Sequence, residues 1–395
     1  LKRKRKRTTK TMRNDVVSLL KELIGHSTVS HQPVDGIAAL LAERAEDAGG
    51  AVDLIETSPG KVNVIARFGP TGTDGLVISG HMDVVPTIGQ AWSSDPFELS
   101  ERQGKLFGRG TSDMKGFLAA ISVAIRRINT DRLTRELVLI WTHDEEVGCQ
   151  GSHALIGKDL GPLPSQAWIG EPTNFQMCRM HPGHTTVAIH CTGRAAHSSR
   201  PSLGVNAIHL AGRVLAQLEG LSETWTKDRR FEEHLDSPFT VMNVGEINGG
   251  AAVNIVPDKC TLRIGIRPLP GDLAKHRVKQ IREILRPVKQ HARFLGGDIE
   301  VEVEHTAPAL LTAAGSPLER HLCPHASTPL ATAAPFATDG GNLQDMGIAS
   351  IVFGPGSIDV AHRADEYIEG TELLKCVQIA EAVIARSCGN GGNYA

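Results

Sequence analysis

No stretch of the chain approaches the roughly 18 to 20 consecutive apolar residues that a membrane-spanning helix needs, so no membrane partner is expected. The apolar h-region of a secretory signal is missing too, because mixed polar sequence follows the basic first residues. The seven cysteines lie scattered from Cys149 to Cys388, odd in number and without a CxxC pair. That argues against both a disulfide framework and a zinc–thiolate site, and fits a reducing, cytoplasmic setting. Internal repeats are absent, as are helix-turn-helix, RNP and zinc-finger patterns, so no nucleic-acid partner is expected. What remains is an ordinary globular balance, 41% hydrophobic and 22% charged, in 395 residues that can build two or three domains.

The net charge of -2 conceals an asymmetry. Lys2 to Arg7 are all basic and Lys10 follows, which leaves an acidic remainder. Such a block can attract nucleic acid or anionic lipid. Ahead of an acidic body, residues 1–13 read instead as a disordered, solvated tail.

Beyond it, Val16, Leu19, Leu20, Leu23 and Ile24 recur at helical spacing, and a second amphipathic helix covers 36–48. Residues 51–55 and 63–68 read as strands. The apolar run Leu76-Val77-Ile78-Ser79 then ends at Gly80-His81-Met82-Asp83. An imidazole at a strand tip with a carboxylate beside it can be fixed in one tautomer, leaving the other nitrogen for a metal. The glycine-rich segment 104–116 leads into a helix with an apolar stripe from Met114 to Ile128, which puts Asp113 at its N-terminal edge. A carboxylate there suits the helix dipole and can cap.

Leu137–Trp141 is a continuous apolar run, as in a parallel strand buried on both faces, and it ends in Thr142-His143-Asp144-Glu145-Glu146. Adjacent carboxylates at a strand tip repel one another unless a cation is present. Ala167-Trp168-Ile169 ends at Gly170-Glu171-Pro172, and Ile351-Val352-Phe353 ends in Gly354-Pro355-Gly356-Ser357, with His362 just beyond. Four short apolar strands thus finish in His81, Glu145-Glu146, Glu171 and the loop bearing His362. In an open α/β sheet, sites form beyond the carboxyl ends of the strands.

Between about His181 and His305 the texture changes. Strands at 185–192, 239–244, 254–266 and 299–303 and helices at 205–218 and 273–288 give the order β-α-β-β-α-β, the ferredoxin-like pattern. The expected fold is α/β: a mostly parallel sheet flanked by helices over 14–180 and 307–395, interrupted by an inserted α+β domain over 181–306.

These motifs resemble the family of co-catalytic zinc hydrolases that contains acetylornithine deacetylases, succinyl-diaminopimelate desuccinylases and glutamate carboxypeptidases. The likeness rests on Gly80–Pro86, Gly108–Gly116, Asp144–Gly148, Gly170-Glu171-Pro172, and Gly354-Pro355-Gly356 with His362. Residues 144–149, 354–357 and 362–366 are most similar to the acetylornithine deacetylases. The resemblance implies two zinc ions, replaceable by cobalt or manganese, with His81 and Glu171 on one, Glu146 and His362 on the other and Asp113 bridging. It implies Asp83 as the partner of His81 and Glu145 as the general base acting on a metal-bridged water. It further implies His197 as an oxyanion donor reaching the partner subunit of a homodimer built through the insert. Asn254 and Arg267 are implied as contacts for the substrate carboxylate. The loop Gly354–Gly356 can itself present backbone N–H groups to a carboxylate, or its glycines can serve a tight turn.

The implied reaction is hydrolysis of an N-acyl amino acid, N-acetylornithine first, within arginine biosynthesis. Desuccinylase, other deacylase and dipeptidase or carboxypeptidase activities share the same metal chemistry. One segment departs from the deacetylase pattern: Ala337-Thr338-Asp339-Gly340-Gly341-Asn342 stands where a Thr-Glu pair is usual. His181, His184 and His190 read as packing or surface residues.

Overall fold

The computed structural model describes residues 2–231 and 233–389, with side chains from Lys10 onward. Two compact units emerge: residues 1–180, 310–334 and 338–395 form one, and residues 181–309 with 335–337 the other.

The first unit is built on a mixed sheet whose centre is parallel. Its neighbours run Ala51–Ser58, Lys61–Phe68, Glu136–Thr142, Gly75–His81, Gln166–Ile169, Ala349–Val352, Cys178–His181. The four strands from Glu136–Thr142 to Ala349–Val352 pair in parallel, while Ala51–Ser58 and Lys61–Phe68 form an antiparallel margin. Every residue of Glu136–Thr142 is buried, as its unbroken apolar run requires of a strand covered on both faces. Parallel pairing brings the carboxyl ends of these four strands to one edge of the sheet, so His81, Thr142, Ile169 and Val352 all open onto the same side.

Helix Lys115–Arg127 packs against helices Lys2–Gly25 and Gly370–Cys388. It is apolar almost all round, and even Lys115 is buried, its Nζ donating to the His26 carbonyl at 2.7 Å. Two expectations change here. Asp113 does not cap this helix: the cap position is Met114, with no side-chain hydrogen bond, and the Asp113 carboxylate is turned to two imidazoles instead. The first helix begins at Lys2, where a disordered tail over 1–13 was expected. Lys and Arg are good helix formers, and neither Gly nor Pro interrupts the run before Gly25. Met12 is buried and Arg13 pairs with Glu101 at 2.5 Å.

The second unit is a four-stranded antiparallel sheet in the order Val241–Gly249, Lys259–Arg267, His184–Thr192, Asp298–Ala307. Helices Ala207–Trp225 and Ala274–Phe294 share one apolar core with the alternating residues Val187, Ile189, Leu262, Ile264 and Ile299. The expected strand over 254–266 is divided into Ile255–Val256 and Lys259–Arg267, since Pro257 offers no N–H to a ladder. His181 is buried, His184 stacks edge-on against His305 with centroids 5.2 Å apart, and His190 meets Glu302 at 3.1 Å, so all three pack.

Gly170, at the tip of the Gln166–Ile169 strand, meets the Phe117 ring so closely that an added Cβ would lie 2.1 Å from it. Phe117 cannot retreat, being fully buried edge-on to Trp168. Gly170→Ala is therefore expected to lower unfolding stability by roughly 1–3 kcal/mol through overpacking. Gly212→Ala is the control, because Gly212 has open space around it in helix Ala207–Trp225 and should gain about 0.5–1 kcal/mol. Urea midpoints of the two variants check both signs.

Candidate metal centre

Strand ends and the loops that follow them supply a continuous chain of ligating side chains. His81 closes its strand, with Nε2 3.1 Å from Asp113 Oδ1 and 3.8 Å from Glu171 Oε1. The other Asp113 oxygen, Oδ2, lies 3.1 Å from His362 Nε2, which is 2.9 Å from Glu146 Oε2. One carboxylate thus stands between two imidazoles, each of which has a second carboxylate of its own. His81, Asp113 and Glu171 are buried, and His362 is half exposed.

Asp83 is fully buried and organises this arrangement from behind. Its carboxylate accepts from the backbone N–H of Glu145 at 3.0 Å and of Glu146 at 3.4 Å, and from Ser30 Oγ at 2.8 Å. His81 Nδ1 lies 3.0 Å from the Asp83 carbonyl and 3.6 Å from its carboxylate. The backbone carbonyl is therefore the nearer partner that orients the ring. Asp144 turns away from the site with φ 49°, held by Lys61 Nζ and the His31 N–H, both at 2.8 Å.

The electrostatics describe a site with too much negative charge. Burial raises the Glu146 carboxyl to about 7, and the neighbouring Asp113 charge adds to the rise. Burial likewise pushes Glu171 and Glu145 well above the carboxylate range, reinforced by the other acids. Hydrogen bonds to Asp113 and Glu146 lift His362 to about 11. Burial would lower His81, yet the Glu171 charge and the Asp113 hydrogen bond carry it well up. Protons on these groups do what bound cations would do. Glu146 Oε1 is buried without a hydrogen-bond partner among the described residues, and every donor among His81, Asp113, Glu145, Glu146 and Glu171 is an imidazole nitrogen or carboxylate oxygen. That set fits zinc and admits cobalt or manganese. The donor atoms of His81, Asp113 and Glu146 lie within 4.8 Å of one another, as do those of His81, Glu145 and Glu171. Two overlapping clusters can hold two ions.

A third group was not legible in the sequence. The Glu145 carboxylate, half-buried, has one hydrogen bond among the described residues, from the Cys149 thiol at 3.4 Å. Beside them lies the buried Asp339, which accepts from Thr142 Oγ1 at 2.6 Å and Ser152 Oγ at 2.5 Å. Asp339 belongs to the segment that departs from the deacetylase pattern; its carboxylate is committed to these hydroxyls.

Two sequence candidates are corrected. The Gly354 N–H donates to Thr173 Oγ1 at 3.1 Å and the Gly356 N–H to Glu372, so neither is free for a substrate carboxylate. Their glycine identity serves close packing: a Cβ would lie 2.3 Å from the Gly170 carbonyl oxygen at Gly354, and 2.3 Å from Ser112 Oγ at Gly356. His197, Asn254 and Arg267 all belong to the second unit. His197 is exposed, in a two-residue strand paired with Ile255–Val256, and the Ser198 N–H donates to the Asn254 carbonyl at 3.0 Å. Asn254 lies in the turn before that strand, separate from half-buried Arg267 at the end of Lys259–Arg267.

Residues 77–386 match the peptidase family M20/M25/M40. The chain is similar to the acetylornithine deacetylase of Proteus mirabilis (strain HI4320), 36% identical over 390 residues, covering 94% of this chain and 96% of that one. The acetylornithine deacetylase of Myxococcus xanthus is 33% identical over 378 residues, covering 94% and 97%. Among solved structures, an M20 family metallo-carboxypeptidase from Sulfolobus solfataricus superposes with a TM-score of 0.79 at 19% identity, covering 94% of this chain and 99% of that chain. Human carnosine dipeptidase 1 gives 0.75 at 18%, covering 96% and 98%; at these identities both speak to the fold alone. With the family match spanning most of its length and full-length relatives above 30% identity, the chain belongs to the M20/M25/M40 peptidases.

Proposed function

We propose that the protein is a dinuclear metal-dependent amidohydrolase that removes the acyl group of an N-acyl amino acid, with N-acetylornithine as the substrate. The observation that carries the reading is the Asp113 carboxylate set between His81 and His362, with Glu145 beside His81 and Glu171 and engaged by the Cys149 thiol alone among the described residues. The choice of substrate is supported by the two full-length relatives named acetylornithine deacetylase. Release of ornithine would place the reaction in arginine biosynthesis, in the cytoplasm.

His81 and Glu171 would hold one ion, Glu146 and His362 the other, and Asp113 both. A bound divalent pair supplies Lewis-acid polarisation of the amide carbonyl and acidifies water toward neutrality. Glu145 then serves as the proton carrier. Burial and the Glu171 charge raise its proton affinity, and one weak thiol donor leaves the carboxylate free to turn. It takes the proton of the attacking water and returns it to the departing amine nitrogen. In His197 the Ser199 N–H donates to Nδ1 at 3.2 Å, which leaves the ring proton on Nε2. That N–H is a fixed donor of the kind an oxyanion needs. In this reading His197 serves the active site of a second subunit, in a homodimer formed through the insert, and Asn254 and Arg267 accompany it as contacts for the substrate carboxylate. A paired guanidinium–carboxylate contact suits Arg267.

Three outcomes are expected. Glu145→Gln should lower kcat on N-acetylornithine by about 10²–10⁴-fold while leaving bound metal unchanged; a panel with N-succinyl-diaminopimelate, other acyl-amino acids and dipeptides ranks the substrate. Zinc uptake must displace the proton of His362, held to about 11, and below about 7 that of Glu146 as well. Affinity should therefore fall as pH drops through that range, and uptake at neutral pH should release protons, seen by calorimetry as buffer-dependent heats. Finally, mixing inactive Glu145→Gln and His197→Ala dimers should restore about a quarter of wild-type activity, because random exchange leaves one intact site in each mixed dimer. No recovery after verified subunit exchange would mean that His197 does not act across subunits.

A further inference from the structure

Four residues beyond His362 lies Glu366, which none of the chemistry above uses. It is fully buried, and its carboxylate collects four donors from a single turn of chain. Oε2 accepts from Arg109 Nη1 at 2.6 Å and the Gly110 N–H at 3.1 Å. Oε1 accepts from the N–H groups of Ser112 at 2.8 Å and Asp113 at 3.0 Å. Its own carbonyl takes the Gly108 N–H at 3.0 Å. The turn that delivers Asp113 is thus wound around one side chain of the loop that delivers His362. Four acceptor positions are about what a carboxylate offers, so this one is saturated.

A second strand of contacts closes the circuit. Arg109, equally buried, donates from Nη1 to the Arg363 carbonyl at 3.3 Å and from Nη2 to Gln90 Oε1 at 2.7 Å. Gln90 Nε2 in turn donates to the carbonyl of His362 itself at 2.9 Å. His362 needs such restraint. No helix or strand adjoins it, and its φ of 61° is a left-handed conformation that a residue with a Cβ adopts only when its surroundings impose it. By contrast His81 and Glu171 stand at strand tips, and Asp113 is followed closely by helix Lys115–Arg127.

We propose that Glu366 is a positioning residue that preassembles the metal centre by fixing the turn of Asp113 against the loop of His362, so that the ion held by His362 and Glu146 depends on it most and the ion held by His81 and Glu171 depends on it less, through Asp113 alone. The inference rests on the dinuclear reading above. It assigns the two ions different dependence on the chain: one held by strand ends, the other by a loop clamped from within.

The test is zinc binding to chelator-stripped full-length protein, by competition with a chromophoric chelator, alongside circular dichroism of the metal-free form. Wild type should take up two ions. Glu366→Gln keeps the volume but sets an amide N–H₂ against backbone donors; it should weaken one ion by roughly 10- to 100-fold, the usual effect of removing a group that orients ligands, and the other by a clearly smaller factor. Gln90→Leu, which cuts the link from Arg109 to the His362 carbonyl and also removes the acceptor of the Trp92 indole N–H, should weaken the same ion by a smaller factor. Two ions at wild-type affinity in folded Glu366→Gln, or equal weakening of both, would overturn the proposal. Should Glu366→Gln fail to fold, unchanged affinities in Gln90→Leu would do the same. A wild type that binds fewer than two ions would instead sink the dinuclear reading on which the proposal stands.

Discussion

Mutual repulsion among buried carboxylates is the constraint to which this molecule answers. Glu145, Glu146, Glu171 and Asp339 are gathered around Asp113 at one edge of one sheet, where burial makes their charges costly and neighbouring acids add to that cost, while Asp113 is held charged by its two imidazoles. Two imidazoles carry the compensating protons, and hydroxyls satisfy Asp339. Asp83 and Glu366 stand apart: they face backbone N–H groups, and each turns its charge into a means of fixing a ligand loop.

The sheet makes that gathering feasible. Parallel strands send their carboxyl ends to the same side, so residues far apart in the chain reach one place without long side chains or long loops. The approach is tight. Gly170 lies against Phe117, and Gly354 lies against the backbone of Gly170 and Glu171, with no room for a Cβ at either. Glycines beside the clustered acids therefore do steric work.

Much of this was readable in the sequence because it rests on local pattern. Unbroken apolar runs ending in His or Glu gave the central strands and the His81, Glu145, Glu146 and Glu171 positions; alternation gave the insert and its strand order along the chain. What escaped depends on contacts through space. Glu366 reads as one more polar residue in a loop until the N–H groups it collects from 110–113 are seen. Asp339 reaches the neighbourhood of Glu145 and Cys149 from a distant segment. Asp113 sits where a helix cap is expected, and the pull of two imidazoles overrides that local preference. Gly354 and Gly356 offered the pattern of an anion-binding loop, but their N–H groups already have partners. The basic run at the start suggested a solvated tail by charge alone, while its helix propensity continued the helix that follows.

The pairing inside the insert bears on how the larger unit closes. Its first and last strands are hydrogen-bonded neighbours, with His184 opposite Ala307. Once the insert is folded, the polypeptide returns to within about 5 Å of where it departed. To the remainder of the chain, an excursion of well over a hundred residues then counts as a short turn. The logarithmic dependence of closure entropy on length makes that difference worth roughly 3 kcal/mol. An early-folding insert would thus tether the Ala349–Val352 strand near its neighbour Gln166–Ile169, and a destabilised one would release it as a long floppy loop. Damage remote from the carboxylates could in this way reach them as slower, less complete assembly of the parallel sheet.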